Sequence, residues 1–385
     1  MLSTKGHRSG TSAHVLAVRV VSMGCVASLL VAGILGGLLR AGVAVPAPAD
    51  ASWPGRAAGA HAFLMMFAFM GTVVGIERAV ATRHRLAFGA PALSALAGLF
   101  MLLGFHELAC CLAVVSAFVF VGVNAALTLR QGAAHTTLLL VGAFALLVGN
   151  SMFALRSPVS AVAPWWFAFL VLTIAAERLE MTRLMRRRRG SALALYVSLG
   201  GLLGGAATIS VSPAAGGWLY GASLTALSAW LLMFDIARRT IATHGLSRYM
   251  ALCLLLGYAW LAIAGFAWMA ASMGLPTRDI ALHALGLGFV FSMMLGHAPV
   301  ILPALARIKL AFGWAFYVPL AALHLSLALR LFGGLHSFEL TGIGAVGNFL
   351  AIALFAATIA GAALTWRLTH HSVSTRARHE ATARH

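Results

Sequence analysis

The chain has 385 residues, of which 61% are hydrophobic and only 9% charged, with a formal net charge of +18. Apolar runs of about 20 residues, the length that crosses a bilayer core, recur along it and exclude an ordinary set of soluble domains. The arginines stand beside those runs with no interleaving of aromatic and basic residues, so positive membrane loops explain the charge and nucleic-acid binding does not.

Residues 1–14 read as a tail, and twelve spans follow, at about 15–39, 58–77, 86–105, 108–129, 135–155, 161–180, 190–210, 215–236, 248–273, 279–302, 312–331 and 341–367. The first has a basic start, but its length and the lack of a clear cleavage site favour a retained helix over a signal peptide. Only helices or a closed barrel satisfy the backbone in lipid, and runs this long mean helices. The expected fold is therefore an all-α polytopic bundle of about 12 helices, a single transmembrane domain over 15–367, with a basic tail over 368–385. Pro46, Pro48 and Pro54 mark the longest outer loop, about 40–57, which reads as a connector, with a lid as the rival.

Placed on alternate sides of these spans, 22 of the 27 Lys and Arg fall on the side of the termini. The five on the other side are Arg40, Arg56, Arg156, Arg278 and Arg330, and the cluster Arg186–Arg189 dominates the first group. The positive-inside rule then makes both termini cytoplasmic.

Polar residues inside the spans are few. Cys25, Cys110, Cys111 and Cys253 form no C-x-x-C pattern and read as small packing residues. All nine carboxylates fall in loops, tails or helix ends, which weighs against a proton-coupled carrier with its acid at the midplane. Asn124, Asn150 and Asn348 read as interhelical hydrogen-bond partners, and the tail histidines His370, His371, His379 and His385 as solvated. Glu77-Arg78 closes the second span and Glu177-Arg178 the sixth. These are interfacial anchors, an internal repeat, or an inner charge network pairing Glu77 with Arg178 and Glu177 with Arg78.

The stretch 279–303 carries His283 and His297. On an α-helix they point within about 40° of one another, about 21 Å apart along the axis. Met294 falls between them on that face, and Gly286 and Gly288 leave room for something to approach. With this topology His61, His283 and His324 lie at similar depth on the outer side. Neutral imidazole ligates haem iron and copper, and such ligands project inward from facing helices of a bundle. The three are candidate cofactor or metal ligands, the rival being hydrogen bonds between helices. His297 is a further ligand or a gate, and Met65 and Met294 are possible supports around the ligands. No catalytic residue is assigned.

His61 followed by Phe63-Leu64-Met65, His283-Ala284 followed by Gly286 and Gly288, and Gly296-His297 resemble segments of the NnrS family. That family comprises twelve-helix bacterial membrane proteins linked to the response to nitric oxide, distantly similar to haem-copper oxidase catalytic subunits. Where the family has Thr-Gly-Arg after Gly-His, this chain has Ala298-Pro299. The resemblance implies a multi-pass protein of the bacterial inner membrane, surrounded by lipid, holding haem or copper through His61, His283 and His324 and binding nitric oxide. The alternative expectation is a transporter or channel for a small solute or metal ion. There the histidines line a path from His283 to His297, and Glu77, Arg78, Glu177 and Arg178 form an inner gate.

Overall fold

A computed structural model of the chain describes residues 7–46, 48, 51–82, 84–182, 190–306 and 308–382, with side chains from 23 to 303 and 308 to 369 within those bounds. The cluster Arg186–Arg189 and the side chains of the tail histidines lie outside the described residues.

Among the described residues there is no strand, and twelve helices are long and apolar enough to cross a membrane. They are α1 (Met23–Arg40), α2 (Phe63–Thr82), α3 (Arg85–Leu103), α4 (His106–Gln131), α5 (Ala134–Ala154) and α6 (Val159–Met181), followed by α7 (Ser191–Ile209), α8 (Pro213–Phe234), α9 (Gly245–Ser272), α10 (Arg278–Pro303), α11 (Trp314–Gly333) and α12 (Phe338–Thr369). This is the all-α polytopic bundle that the apolar runs lead one to expect. Lipid leaves the backbone no other partner, so hydropathy alone places helices well.

The chain forms two compact units, Met1–Phe169 and Leu170–His385. In the first, α4 packs against α3 and α5, and α1 lies against α2 and the short helix Trp53–Gly59. That short helix occupies the loop containing Pro54, and Arg56 Nε ties it down by donating to the Leu102 carbonyl at 2.6 Å. In the second unit, α8 sits between α7 and α9, and α11 pairs with α12. Helices in lipid associate through close packing of small residues, because apolar burial does not distinguish a neighbour from a lipid tail. Gly216 and Gly221 of α8 supply that closeness. A Cβ added at Gly216 would stand 2.3 Å from the Ile209 backbone nitrogen, and one at Gly221 would stand 2.5 Å from the Gly265 carbonyl.

Among the described residues, three spans contain a π-turn. π-Turns occupy Phe63–Phe69 in α2, Ala284–Val290 in α10 and Leu329–Gly333 in α11. A π-turn bonds i to i+5, accommodates an extra residue and is frequent at functional sites. One begins two residues after His61, one directly after His283, and the third starts five residues after His324. The face count between His283 and His297 assumes α geometry throughout, so it does not carry across Ala284–Val290.

Candidate functional site

The second unit holds two polar clusters, one near each end of α10. At the first, Asp279 stands in the first turn of the helix and His283 follows one turn later, so their side chains meet. The His283 Nδ1–H donates to Asp279 Oδ1 at 2.9 Å, and Arg330 Nη2 from the π-turn of α11 approaches His283 Nε2 at 3.0 Å. The same Arg330 nitrogen reaches Asp279 Oδ1 at 3.4 Å. Arg330, which the sequence places among outer loop charges, is 8% exposed, with its Nε buried and unpartnered.

His324 lies two turns before Arg330 on α11, facing Trp260 of α9. The Trp260 indole donates to His324 Nδ1 at 2.8 Å, with the rings close to parallel. An indole N–H only donates, so Nδ1 carries the lone pair and the imidazole proton sits on Nε2. That Nε2–H is buried and has no partner. Trp260 also fills the space expected beside Gly288. A Cβ added at Gly288 would stand 2.5 Å from Trp260 Cβ, so the room left by that glycine is taken by α9 itself.

At the other end of α10, His297 Nδ1 lies 2.7 Å from the Met293 carbonyl, and Arg178 Nη2 of α6 lies 2.7 Å from His297 Nε2. A carbonyl only accepts and a guanidinium only donates, which fixes His297 as the neutral Nδ1–H tautomer. Arg178 is 4% exposed, and its Nε is buried without a partner. Asp235, one residue past the end of α8, is also buried, at 4%. Its Oδ1 accepts from the Ala237 backbone N–H at 2.7 Å, while its Oδ2 is buried and unpartnered. Burial pushes the Asp235 carboxyl above the ordinary carboxylate value, and the Ala237 bond, Arg178, Tyr258 and His297 only partly oppose this.

The model for a domain of unknown function, DUF8744, matches residues 19–364, all but the two ends of the chain. The chain belongs to this family. No curated protein and no solved structure matches it. Since the family brings no assigned chemistry, what its member can bind rests on its own side chains.

Those side chains fit a metal or haem unevenly. Among the described residues no group of three or more His, Cys, Asp or Glu is arranged to hold a metal ion. A ligating histidine donates its second N–H to an acceptor and turns a bare nitrogen to the metal. His324 has the opposite tautomer, since it accepts from Trp260 and turns N–H outward. His283 and His297 each have both ring nitrogens engaged, the second by a guanidinium. Of the four candidate histidines, His61 in the first unit differs in that its Nδ1 meets a backbone carbonyl of another helix. Its Nδ1–H donates to the Gly33 carbonyl of α1 at 2.7 Å, which leaves the lone pair on Nε2.

Met65 and His61 both face α1, since Cβ atoms added at Gly33 and Gly37 would meet the Met65 sulfur at 2.5 Å and the His61 ring at 2.7 Å. Arg78 pairs with its neighbour Glu77 at 2.7 Å. All four cysteines are free thiols. In the first unit Asn150 joins helices as expected, accepting from the Trp166 indole at 2.8 Å and donating to the Ala113 carbonyl at 2.8 Å.

Asp235, Tyr258, Trp260 and Arg330 escape a search for histidine ligands, yet one signal for the π-turns is in the sequence. His61-Ala62 precedes Phe67-Ala68-Phe69 at the spacing by which His283-Ala284 precedes Phe289-Val290-Phe291, and a π-turn falls on both. Phe167-Ala168-Phe169 of α6 repeats the aromatic pair, with Glu177-Arg178 following at the distance of Glu77-Arg78 from Phe67.

Proposed function

We propose that this member of the family is a multi-pass carrier or channel for a small solute, in which α10 lines the path and its two histidine clusters take up and release charge. The observation that carries this reading is the bonding of His283 and His297. Each gives one ring nitrogen to an arginine and the other to an acceptor, in clusters near the two ends of one span. Ionisable groups at membrane depth are costly and mark ion and substrate paths. The distribution of Lys and Arg supports a His283 end that faces outward and a His297 end that faces the cytoplasm, and the resemblance to the NnrS family supports the bacterial inner membrane.

The test is purification from cells supplied with haem and copper, followed by reconstitution into vesicles. The protein is expected to be colourless and metal-free, and to pass monovalent ions or transition-metal ions offered in turn. His297→Ala should slow that flux about tenfold or more, since a hydrogen bond to a charged group contributes about 1.5–3 kcal/mol. No flux of any species offered, with wild type and variant alike, would sink the reading.

A second reading has its own support in His61. The Nδ1–H bond to Gly33 suits a single imidazole ligand, with which a haem or copper group would bind nitric oxide, as the resemblance to the NnrS family implies. When bound, the group would supply an open metal position. The chain would supply His61, oriented by Gly33, and the apolar surroundings of α1 and α2 that exclude water. Stoichiometric iron or copper with a Soret band, lost in His61→Ala, would favour this reading over transport.

A further inference from the structure

The cluster of Asp235, Tyr258, Arg178 and His297 has a property that neither reading uses. Two of its groups, Asp235 Oδ2 and the Tyr258 hydroxyl, are buried in hydrogen-bonding chemistry that is not completed. Tyr258 itself is fully buried, and its side chain interacts with the Asp235 carboxyl from α9. A buried carboxylate oxygen without a donor carries the full cost of desolvation. The protonated acid does not carry that cost, because it is uncharged and needs no counter-ion.

Arg178 is the natural counter-ion and is engaged elsewhere, on His297 Nε2, with its own Nε left unpartnered. The charged and titratable groups facing Asp235 are Arg178 from α6, His297 from α10 and Tyr258 from α9, together with the Ala237 N–H from the turn that follows. Arg238 and Arg239 on that turn are exposed. A metal cation has no place beside a buried guanidinium, and an anion has none beside the carboxyl. The cation that this environment admits is a proton.

We infer that Asp235 is an exchangeable proton site, and that losing the proton draws Arg178 from His297 to the Asp235 carboxylate. The O–H bond of the acid breaks and its proton leaves to water past Arg238 and Arg239, the exposed residues of the turn that follows. The oxygen keeps the electron pair and gains the guanidinium as partner, and His297 Nε2 loses that guanidinium. Proton loss at one residue thus changes the bonding of the histidine on α10. In the carrier reading this makes the proton the coupling ion, and the inference rests on that reading only for the use to which the proton is put. The site itself is tested without transport.

The measurement is infrared spectroscopy of the whole purified protein in H2O and D2O across a pH series. A carbonyl stretch of a protonated carboxyl is expected to persist above the pH at which ordinary carboxyls have ionised. It should shift in D2O, be lost in Asp235→Asn and survive in Asp279→Asn. Absence of such a band in the wild type, or its persistence in Asp235→Asn, would overturn the site. Should Asp235→Asn fail to fold, Tyr258→Phe removes only the hydroxyl and should displace both the band and its titration midpoint. An unmoved band there overturns the proposal equally. Nitrogen-15 spectra of the His297 ring should change with the same midpoint in the wild type and stay constant with pH in Asp235→Asn. A His297 signal that titrates independently would separate the proton site from the arginine switch and overturn the switch.

Discussion

At the scale of single residues, the tautomers of the histidines decide more than their positions do. Trp260 is the clearest lever, because its indole N–H holds His324 Nδ1 deprotonated at 2.8 Å. Trp260→Phe keeps a ring against Gly288 and removes the donor. Leaving a buried acceptor unpaired costs about 1–3 kcal/mol, so thermal unfolding in detergent should come at a lower temperature, and nitrogen-15 spectra of His324 should show a mixture of tautomers. An unchanged single tautomer in that variant would mean that something other than the indole sets it.

Asp235 makes a second prediction at this scale, with a definite sign. Its carboxyl is raised in the folded chain above the ordinary value of 3.8. Its contribution to stability is therefore fully present below about that value and lost as the pH rises through the folded one. Asp235→Asn keeps an oxygen for the Ala237 N–H and has no proton to lose. Relative to the wild type, the variant should gain stability towards neutral and alkaline pH, and the gain should vanish in acid. Unfolding midpoints measured against pH check this, and a gain largest in acid would contradict it.

At the scale of the element, α10 shows what a sequence can and cannot disclose. Its span is legible because about 20 apolar residues in lipid have one stable backbone. Its faces are not, because the π-turn at Ala284–Val290 depends on the neighbour it accommodates, and an α-helical count passes over it. Gly288 illustrates the difference. A glycine reads as an opening, yet the opening is occupied by Trp260 from a helix that one chain does not reveal as adjacent. Gly288→Ala would set a methyl group 2.5 Å from Trp260 Cβ. Overpacking of this kind costs about 1–3 kcal/mol, and the displaced indole should disturb the His324 tautomer as Trp260→Phe does. Gly122→Ala on α4 is the control, since an added Cβ there meets nothing within 4 Å and alanine is the better helix former. Equal losses of thermal stability in the two variants would refute the packing account.

At the scale of the molecule, the number of spans and the fold class follow from composition, while the clusters follow from tertiary pairing. Asp235 and Arg330 show why. Each sits at a helix end by sequence and would be solvated there, but neighbouring helices bury both to below a tenth exposed. Sidedness depends on neither cluster. Twelve spans among the described residues are an even number, which would put both termini on one side, and we propose from the excess of Lys and Arg there that this side is the cytoplasm. The bias is legible even though the dominant cluster Arg186–Arg189 lies outside the described residues. With the four native cysteines replaced by alanine, Ser157→Cys between α5 and α6 should react with an impermeant maleimide in intact cells. Thr243→Cys between α8 and α9 should react only after the membrane is opened. Labelling in the reverse order would invert the molecule, turning the Asp235 cluster outward and the Arg330 cluster to the cytoplasm. A proton released at Asp235 would then enter the outer medium, so this topology experiment also fixes the direction in which the proposed site faces.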